Sequence, residues 1–525
     1  MATSMYKTPG VYVKELPAFA PSIVGVQTAV PAFIGYTQKA VINGKPVLNK
    51  AIPIASLADY IEIFGQDFPA EYTIEEVTDA DKIAKGDFDF KVFDPNGPLP
   101  GEKFYNLKQT SSSEFYLYNS VRLFYDNGGG DAFVVSVGLY PEGQTISKDA
   151  LLKGLAVTEE QVGPTMLVIP DAVLLPSSGP DPWTSTDFQA VAREMLSQCG
   201  KLQDRVAILD VYGTQHAKKD NWETIIAQFR KDVGDTYLSY GMSYFPFLET
   251  SVVSASEFTY ANVLPSLTKL QEILTWEREN LYGPVDKSAR AKAVQDDIDK
   301  MDEDLDVKKL NQNLTAALPK LLEIEGTLAL KNNTLPPSGG MAGVYTFIDG
   351  SKGVWNAPAN VTMQAVVEPT FRIDAKQQED LNVPVDGKAV DAIRDFVGRG
   401  PVVWGARTLD GNSNDYRYIQ VRRTLIYIEQ SIKTALNQFV FAANDGNTWS
   451  TVTAMVSSFL QSVWSQGGLM GATASEAYTV QCGLGSTMTG QDILNGYMIV
   501  QVTLQMIRPA EFIELTFKQR MEGVS

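Results

Sequence analysis

The sequence predicts a multidomain protein with α/β and α+β parts, and three observations support this fold class. The chain has 525 residues, more than a single hydrophobic core usually holds, so we expect two or three domains. Short β-branched runs alternate with amphipathic stretches in the first half, as in a mixed sheet covered by helices. The last third predicts a compact α+β domain, and both chain ends carry strand-like patterns that predict extended arms.

Composition narrows the class of protein. The chain is 44% hydrophobic and 20% charged, which is typical of a soluble globular protein, and it has no apolar run approaching the ~20 residues needed to span a bilayer. Its formal net charge of −18 argues against broad, non-specific binding to nucleic acid. Met1–Gly10 lacks the apolar region of a secretory signal. The distant Cys199 and Cys482 predict no disulfide and synthesis in a reducing compartment.

The N-terminal part of the chain predicts an arm followed by an outer and middle α/β region. Residues 1–22 form the predicted arm, in which Gly10–Glu15 alternates like a short strand. Residues 23–335 form the predicted α/β region, with variable insertions at about 38–110 and 254–330. Buried-type strands are predicted at Ile23–Thr37, Ala132–Val137, Thr165–Ile169 and Arg205–Val211, helices at Ser56–Gly65, Glu114–Asn127, Thr186–Cys199 and Trp222–Val233, and a loop at Phe88–Gly101.

The C-terminal part predicts a second domain at residues 341–507. Pro336–Gly340 reads as a linker between the two domains. The predicted elements are strand patches in Val344–Val367, a helix at Ala389–Phe396, a strand at Pro401–Leu409, helices at Tyr416–Phe441 and Trp449–Gln466, and strands at Ala477–Cys482 and Met498–Met506.

Residues 508–525 predict a C-terminal arm. Arg508-Pro509 interrupts the alternation of the preceding strand, after which Ile513, Leu515 and Phe517 alternate with polar residues. From the pattern alone, both terminal strands could pair within their own chain or add to a sheet of another chain.

The residue types that catalysis or ligand binding would need do not form a recognisable catalytic or binding set in this sequence. His216 is the single histidine and reads as a loop residue. The Gly-rich Asn127–Ala132 lacks the lysine and spacing of a phosphate loop, and the acidic Asp296–Asp306 lacks the glycine of a calcium loop. Asp171 and Asp210 follow predicted parallel strands, where α/β enzymes place catalytic groups. A soluble α/β hydrolase or transferase is therefore the alternative, although no catalytic set is identifiable, and we expect no metal or cofactor.

Several ordered blocks resemble contractile tail sheath proteins, of phages or of phage-tail-like injection systems. The blocks are TPGVYVKE (Thr8–Glu15), AFIGYT (Ala32–Thr37), GVYTFIDGSKGVWNAPANV (Gly343–Val361), GRGPVVWGARTL (Gly398–Leu409), YRYIQVRRTLIYIEQSI (Tyr416–Ile432), FVFAANDGNTW (Phe439–Trp449) and RPAEFIELTF (Arg508–Phe517).

The resemblance implies a structural protein, not an enzyme. Copies would stack as hexameric rings around an inner tube and contract once to drive the tube through a target envelope, without nucleotide or cofactor. The implied partners are other copies of the chain, the inner tube, baseplate and terminator or cap proteins, and paralogous sheath subunits. The protein would be made in the bacterial cytoplasm and act in a phage tail or a released particle.

The resemblance also implies which residues make contacts between subunits. In this family the terminal arms complete a small sheet in the neighbour's C-terminal domain, which faces the tube. The arm residues expected to make these contacts are Val11, Tyr12, Val13, Lys14, Phe512, Ile513, Leu515 and Phe517. Arg407, Arg417, Arg422 and Arg423 either pair with charges on other subunits or form salt bridges within the domain, and Lys433 could meet an acidic tube.

Overall fold

The computed structural model describes residues 22–95, 101–110, 114–140, 146–303 and 306–514. The chain divides into two compact units. The larger unit comprises Gln27–Arg423 and Pro509–Ser525, and the smaller unit comprises Met1–Val26 and Thr424–Arg508. The predicted fold class, α/β with several sheets, is confirmed.

The strands of the described residues are, in chain order, β1 (Pro31–Thr37), β2 (Val41–Ile42), β3 (Lys45–Pro46), β4 (Ala51–Ile54), β5 (Tyr72–Val77), β6 (Phe90–Asp94), β7 (Gly101–Gln109), β8 (Ala132–Leu139), β9 (Met166–Val168), β10 (Val206–Asp210), β11 (Gly241–Phe245), β12 (Leu248–Thr250), β13 (Thr334–Leu335), β14 (Val361–Thr362), β15 (Val366–Pro369), β16 (Asp391–Phe396), β17 (Gly400–Val403), β18 (Tyr478–Gln481) and β19 (Gln501–Leu504).

The α-helices of the same residues are α1 (Leu57–Phe64), α2 (Ala80–Lys85), α3 (Leu117–Asp126), α4 (Lys148–Glu159), α5 (Thr186–Leu202), α6 (Trp222–Asp232), α7 (Leu267–Tyr282), α8 (Ala289–Asp299), α9 (Val307–Ala317), α10 (Pro319–Asn332), α11 (Ser338–Lys352), α12 (Ala375–Asn382), α13 (Ile419–Leu436), α14 (Gly446–Ser465), α15 (Ala474–Ala477) and α16 (Gly490–Leu494). None of these helices is long and apolar enough to cross a membrane.

A nine-stranded sheet forms the centre of the larger unit, in the order β14-β17-β16-β11-β10-β9-β1-β8-β4. The six strands from β16 to β8 run parallel, with β1 between β8 and β9. Strands β1, β10 and β11 are buried along their whole length, which explains their continuous apolar runs. The remaining pairs are antiparallel: β4 pairs with β8 at one edge, and β14 pairs with β17, which pairs with β16, at the other.

The parallel strands are connected through helices, as the alternating sequence pattern predicts. Helix α5 lies between β9 and β10 in the chain and buries Phe188, Val191 and Met195. Helix α6 follows β10 and buries Ile225 and Phe229. Both helices therefore turn one apolar side to the core, as expected for covers of a buried sheet.

Three smaller sheets complete the larger unit. Strands β5, β7 and β6 form an antiparallel sheet, as do β13, β12 and β15, and β2 pairs with β3. The loop predicted at Phe88–Gly101 is wrong for the part that forms β6, because β6 pairs with β7 and buries Phe90 and Val92. Its short alternation, one residue in and one residue out, is the strand signal that the sequence analysis missed.

Helix α11 replaces the predicted linker and the first predicted strand patch of the C-terminal domain. Ser338–Gly340 are buried at the start of the helix. A Cβ atom on Gly343 would lie 2.4 Å from the backbone oxygen of Phe124 in α3, and one on Gly339 would lie 2.5 Å from that of Ser120. The linker prediction is therefore wrong, because these glycines allow close helix packing and do not supply flexibility.

Residues 254–330 are largely helical, as predicted, and contain α7, α8, α9 and most of α10, while their status as an insertion stays a prediction. Pro284 and Pro319 lie at the ends of α7 and α9, where the sequence breaks the pattern. The acidic stretch that could suggest calcium begins within α8, whose Ile298 is buried. Among the described residues, no group of three His, Cys, Asp or Glu side chains is placed to hold a metal ion.

The boundary between the two compact units does not fall at residues 336–341, where the sequence analysis places a domain boundary. Strands β14, β16 and β17 join the central sheet of the larger unit, and the division falls at Arg423. The helix predicted at Ala389–Phe396 is wrong, because β16 occupies this segment and pairs with β11 and β17.

The smaller unit is built on α14. This helix begins at Gly446, since Asp445 accepts the backbone N–H of Thr448 at 3.0 Å, and it buries six apolar side chains along one side. Those side chains are Val452, Met455, Val456, Phe459, Leu460 and Val463. Tyr427 of α13 packs on Phe459, with ring centroids 5.9 Å apart.

Candidate assembly interface

The smaller unit carries a two-stranded antiparallel sheet of β18 and β19. Tyr478 pairs with Leu504, and Gln481 pairs with Gln501. Tyr478, Val480, Val502 and Leu504 are half-buried, whereas Thr479, Gln481, Gln501 and Thr503 are exposed. The Tyr478 hydroxyl donates to the Ser457 carbonyl of α14 at 3.1 Å. The alternation predicted for Met498–Met506 thus reflects one face on α14 and one face in solvent.

Within the part of the chain that the structure describes, the only pairing beside this sheet is an isolated antiparallel bridge between Leu469 and Met506, just past the end of β19. No third strand of the described residues joins β18 or β19. A two-stranded sheet with free edges exposes backbone donors and acceptors that can pair with an added strand. An isolated two-stranded sheet is marginal in water, and here the packing of one face on α14 supports the sheet.

The residues predicted to be arm contacts lie at the two chain ends. Val11, Tyr12, Val13, Lys14, Leu515 and Phe517 fall outside the described residues. Phe512 and Ile513 are 75% and 77% exposed, which leaves their apolar surface unburied by the chain. Residues 509–514 form no strand within the described chain. Their pairing with another subunit stays a prediction.

Glu511, directly before Phe512, is held by three side chains of the larger unit. Its carboxylate accepts from Nη2 of Arg407 at 2.6 Å and from Nε at 3.0 Å. It also accepts from the Tyr418 hydroxyl at 3.1 Å and from the Asn382 side-chain amide. Burial alone would raise the pKa of Glu511, but the hydrogen bonds and charge of Arg407 hold this pKa below its usual value.

The four candidate arginines are all engaged within the chain. Arg407 binds Glu511, and Arg423 binds Asp349 at 2.6 Å. Arg422 donates to Ser239 at 2.8 Å and stacks on Tyr416, while Arg417 donates to the Ser413 carbonyl. These contacts fit the alternative of intradomain bonds. A role between subunits stays a prediction, as it does for the exposed Lys433 near the end of α13.

The two carboxylates at the strand ends bind helix N-termini. Asp171, after β9, accepts backbone N–H groups from Tyr36 and from Tyr116 and Leu117 at the start of α3. Asp210, at the end of β10, accepts from the backbone N–H and the hydroxyl of Ser338 at the start of α11. The enzyme alternative loses its best candidates, since both groups hold helices in place.

Asp210 should make the free energy of unfolding depend on pH. Burial raises its pKa from 3.8 to about 7, and the bonds from Ser338 oppose this shift. Because the folded pKa is raised, the stabilising contribution is fully present below pH 3.8 and is lost as the pH rises through about 7. Relative to Asp210→Asn, which does not titrate, the wild type should lose about 3 kcal/mol of unfolding free energy between pH 5 and pH 8. Urea unfolding of both proteins at each pH measures this, and a constant difference would contradict it.

The remaining chemistry-bearing residues have ordinary surroundings. His216 lies in a single 3₁₀ turn, Thr214–His216, and burial lowers its pKa. Asn127–Ala132 connects α3 to β8 and is a turn, as predicted. Sequence reasoning missed Glu511, Asn382 and Tyr418 as a group. The signal available for them was a pair of carboxylates, Glu511 and Glu514, within the apolar pattern that follows Pro509.

An α/β body, a small unit with a two-stranded sheet, and exposed apolar residues at the start of a terminal segment are typical of a subunit that assembles by strand addition. Comparisons with known proteins specify this class. A family model for the phage tail sheath C-terminal domain matches residues 412–520. No curated protein sequence matches the chain.

Solved structures match over nearly the full chain. The sheath of the extracellular contractile injection system PVC, in the contracted state, is 26% identical with a TM-score of 0.57, over 99% of both chains. The contracted helical sheath of the anti-feeding prophage AFP gives the same identity and TM-score, over 98% of this chain and 100% of that chain. A chain of the six-fold symmetrised AFP baseplate gives the same values. The resemblance to contractile tail sheath proteins is confirmed.

Proposed function

We propose that this chain is the structural subunit of a contractile sheath. The observation that carries the proposal is the full-length similarity to two contractile sheath proteins, together with the family match at residues 412–520. These relatives are structural proteins of extracellular or phage-tail-like particles. The roles of Asp171 and Asp210 in holding helices agree with a structural function.

Strand addition is the proposed means of assembly. The arms that contain Val11–Lys14 and Phe512–Phe517 would pair with the edges of β18 and β19 in neighbouring subunits. Main-chain hydrogen bonds would supply affinity, and alternate side chains would set the register. Because the two arms engage different neighbours, the contact is heterologous and does not close on itself. Such contacts generate the helical stack of hexameric rings that we propose.

The partners are proposed from the same similarity. Copies of the chain are the first partner, and the AFP relative found in a baseplate supports contact with a baseplate. We place the smaller unit against an inner tube, with Lys433 as a candidate contact to an acidic tube surface. Terminator proteins and paralogous sheath subunits would complete the particle. Contraction would drive the tube through a target envelope.

Electron microscopy tests the proposal directly. The purified chain, concentrated alone and with its tube protein, should form long hollow polymers in negative stain. Their diameter should be uniform, because the arms fix each subunit against defined neighbours. A chain that stays monomeric at high concentration, both alone and with the tube protein, would overturn the proposed function.

A further inference from the structure

The bonds around Glu511 form a built site, which we call the carboxylate clamp and define as Asn382, Arg407, Tyr418 and Glu511. The Arg407 side chain is only 4% exposed and that of Glu511 is 20% exposed. Two parallel N–H donors of one guanidinium meet two oxygens of one carboxylate, the geometry that makes such pairs strong and directional. The clamp therefore holds a defined point of the C-terminal segment.

Arg407 is itself fixed from the other side. Its remaining Nη1 donates to the Gly411 carbonyl at 3.1 Å, and its backbone N–H donates to Asp391 at 2.9 Å. Asp391 is the first residue of β16 in the central sheet. A load on Glu511 therefore passes through Arg407 into the nine-stranded sheet of the larger unit.

The residues next to Glu511 are not held in this way. Phe512 and Ile513 are exposed and line a groove of about 910 Å³, together with Val383, Arg394, Trp404 and Pro509. The chain is thus fixed at one side chain and presents its apolar side chains immediately afterwards. This arrangement gives the following residues a fixed starting point.

We propose that the carboxylate clamp anchors the C-terminal arm, so that the arm leaves its own subunit at a fixed point. Glu511, Arg407 and Tyr418 are positioning residues in this role. The consequence for assembly rests on the proposed sheath function. If Glu511 were released, residues 509–511 would become part of the free arm and add about 10 Å of slack to the link between subunits. A slack link transmits the displacement of one subunit to the next less faithfully.

The clamp itself is tested in the dilute, unassembled chain. A glutamate-specific endoproteinase cleaves after Glu511 only when the segment can leave the surface. Arg407→Gln should speed this cleavage about tenfold or more, because it removes both charge-assisted bonds. Tyr418→Phe removes one bond and should speed the same cleavage about two- to threefold. Mass spectrometry identifies the cut, and thermal melting confirms that each variant is folded.

Arg394→Gln is the matched control, since Arg394 lines the same groove but bonds to Ile373 and Gln378 instead of Glu511. It should leave the cleavage rate unchanged. Equal cleavage rates in the wild type and in folded Arg407→Gln would overturn the clamp, whether or not the chain forms a sheath.

The assembly role has its own readout. Glu511→Gln keeps the shape of the side chain and should shorten the polymers several-fold in negative stain, whereas Arg394→Gln should not. Polymers of wild-type length from Glu511→Gln would overturn the anchoring role. If the wild type itself formed no polymer, the proposed function would fail while the proteolysis result would still decide the clamp.

Discussion

A chain truncated after Glu514 should fold normally and fail to form polymers. The truncation removes the predicted arm residues Leu515 and Phe517 but keeps Glu511 and its bonds to Arg407. The larger unit therefore keeps the Arg407–Glu511 ion pair. The truncated chain lacks the strand that would pair with the sheet of a neighbouring subunit, so the main-chain hydrogen bonds of that pairing cannot form.

The measurement combines thermal melting, sedimentation and negative-stain microscopy. The melting temperature should stay within a few degrees of the wild type, while polymer mass should fall at least tenfold. Truncation after Met521, which keeps the whole predicted strand, is the control and should assemble. Deletion of Met1–Glu15 should give the same defect, because it removes the other arm. Normal polymers from both arm deletions would contradict strand addition.

Asp349→Ala should cause the largest loss of stability among single substitutions of charged residues. Asp349 accepts from both Nη atoms of Arg423, and the two side chains are 6% and 3% exposed. Removing the carboxylate leaves a buried guanidinium without its counter-charge, which costs about 3–5 kcal/mol. The pair also joins α11 to the start of α13, so the loss should weaken their packing in the larger unit.

Urea unfolding followed by tryptophan fluorescence measures this loss. The control is Glu368→Ala, which breaks the surface pair with Arg372, whose side chains are 40% and 74% exposed. That change should cost less than about 1 kcal/mol. A similar cost for both substitutions would contradict the assigned importance of the buried pair.

The sequence predicts the parallel sheet well because its strands are buried on both faces. Thr165–Ile169 and Arg205–Val211 contain β9 and β10, and the strongly periodic Tyr416–Phe441 contains α13. The predictions of secondary structure that were wrong concern segments whose structure depends on tertiary packing. Ala389–Phe396 has helix-like spacing, yet its position between β11 and β17 makes it a strand. A strand patch was predicted from Val344 onward, yet the segment is helical, and the contact of α11 with α3 requires the small Gly343 beside it.

The candidate interface was predictable in part. The predicted strands at Ala477–Cys482 and Met498–Met506 contain β18 and β19, whereas the terminal arms stay a prediction. The clamp was not predictable, because Arg407 and Glu511 are 104 residues apart, and the two family blocks that contain them do not indicate that the two side chains meet. Their pairing depends on the return of residues 509–514 to the larger unit, which a local pattern does not reveal.

That return also sets an order for synthesis. Arg407 leaves the ribosome 104 residues before its carboxylate partner, and all of β18, α16 and β19 is made between them. Domains generally fold from the N-terminus as they emerge, so the smaller unit can fold before the clamp closes. A nascent chain thus holds the Arg407 guanidinium without its carboxylate partner until Glu511 has left the ribosome. The anchor of the C-terminal segment therefore forms only after Thr424–Arg508 of the smaller unit has been synthesised.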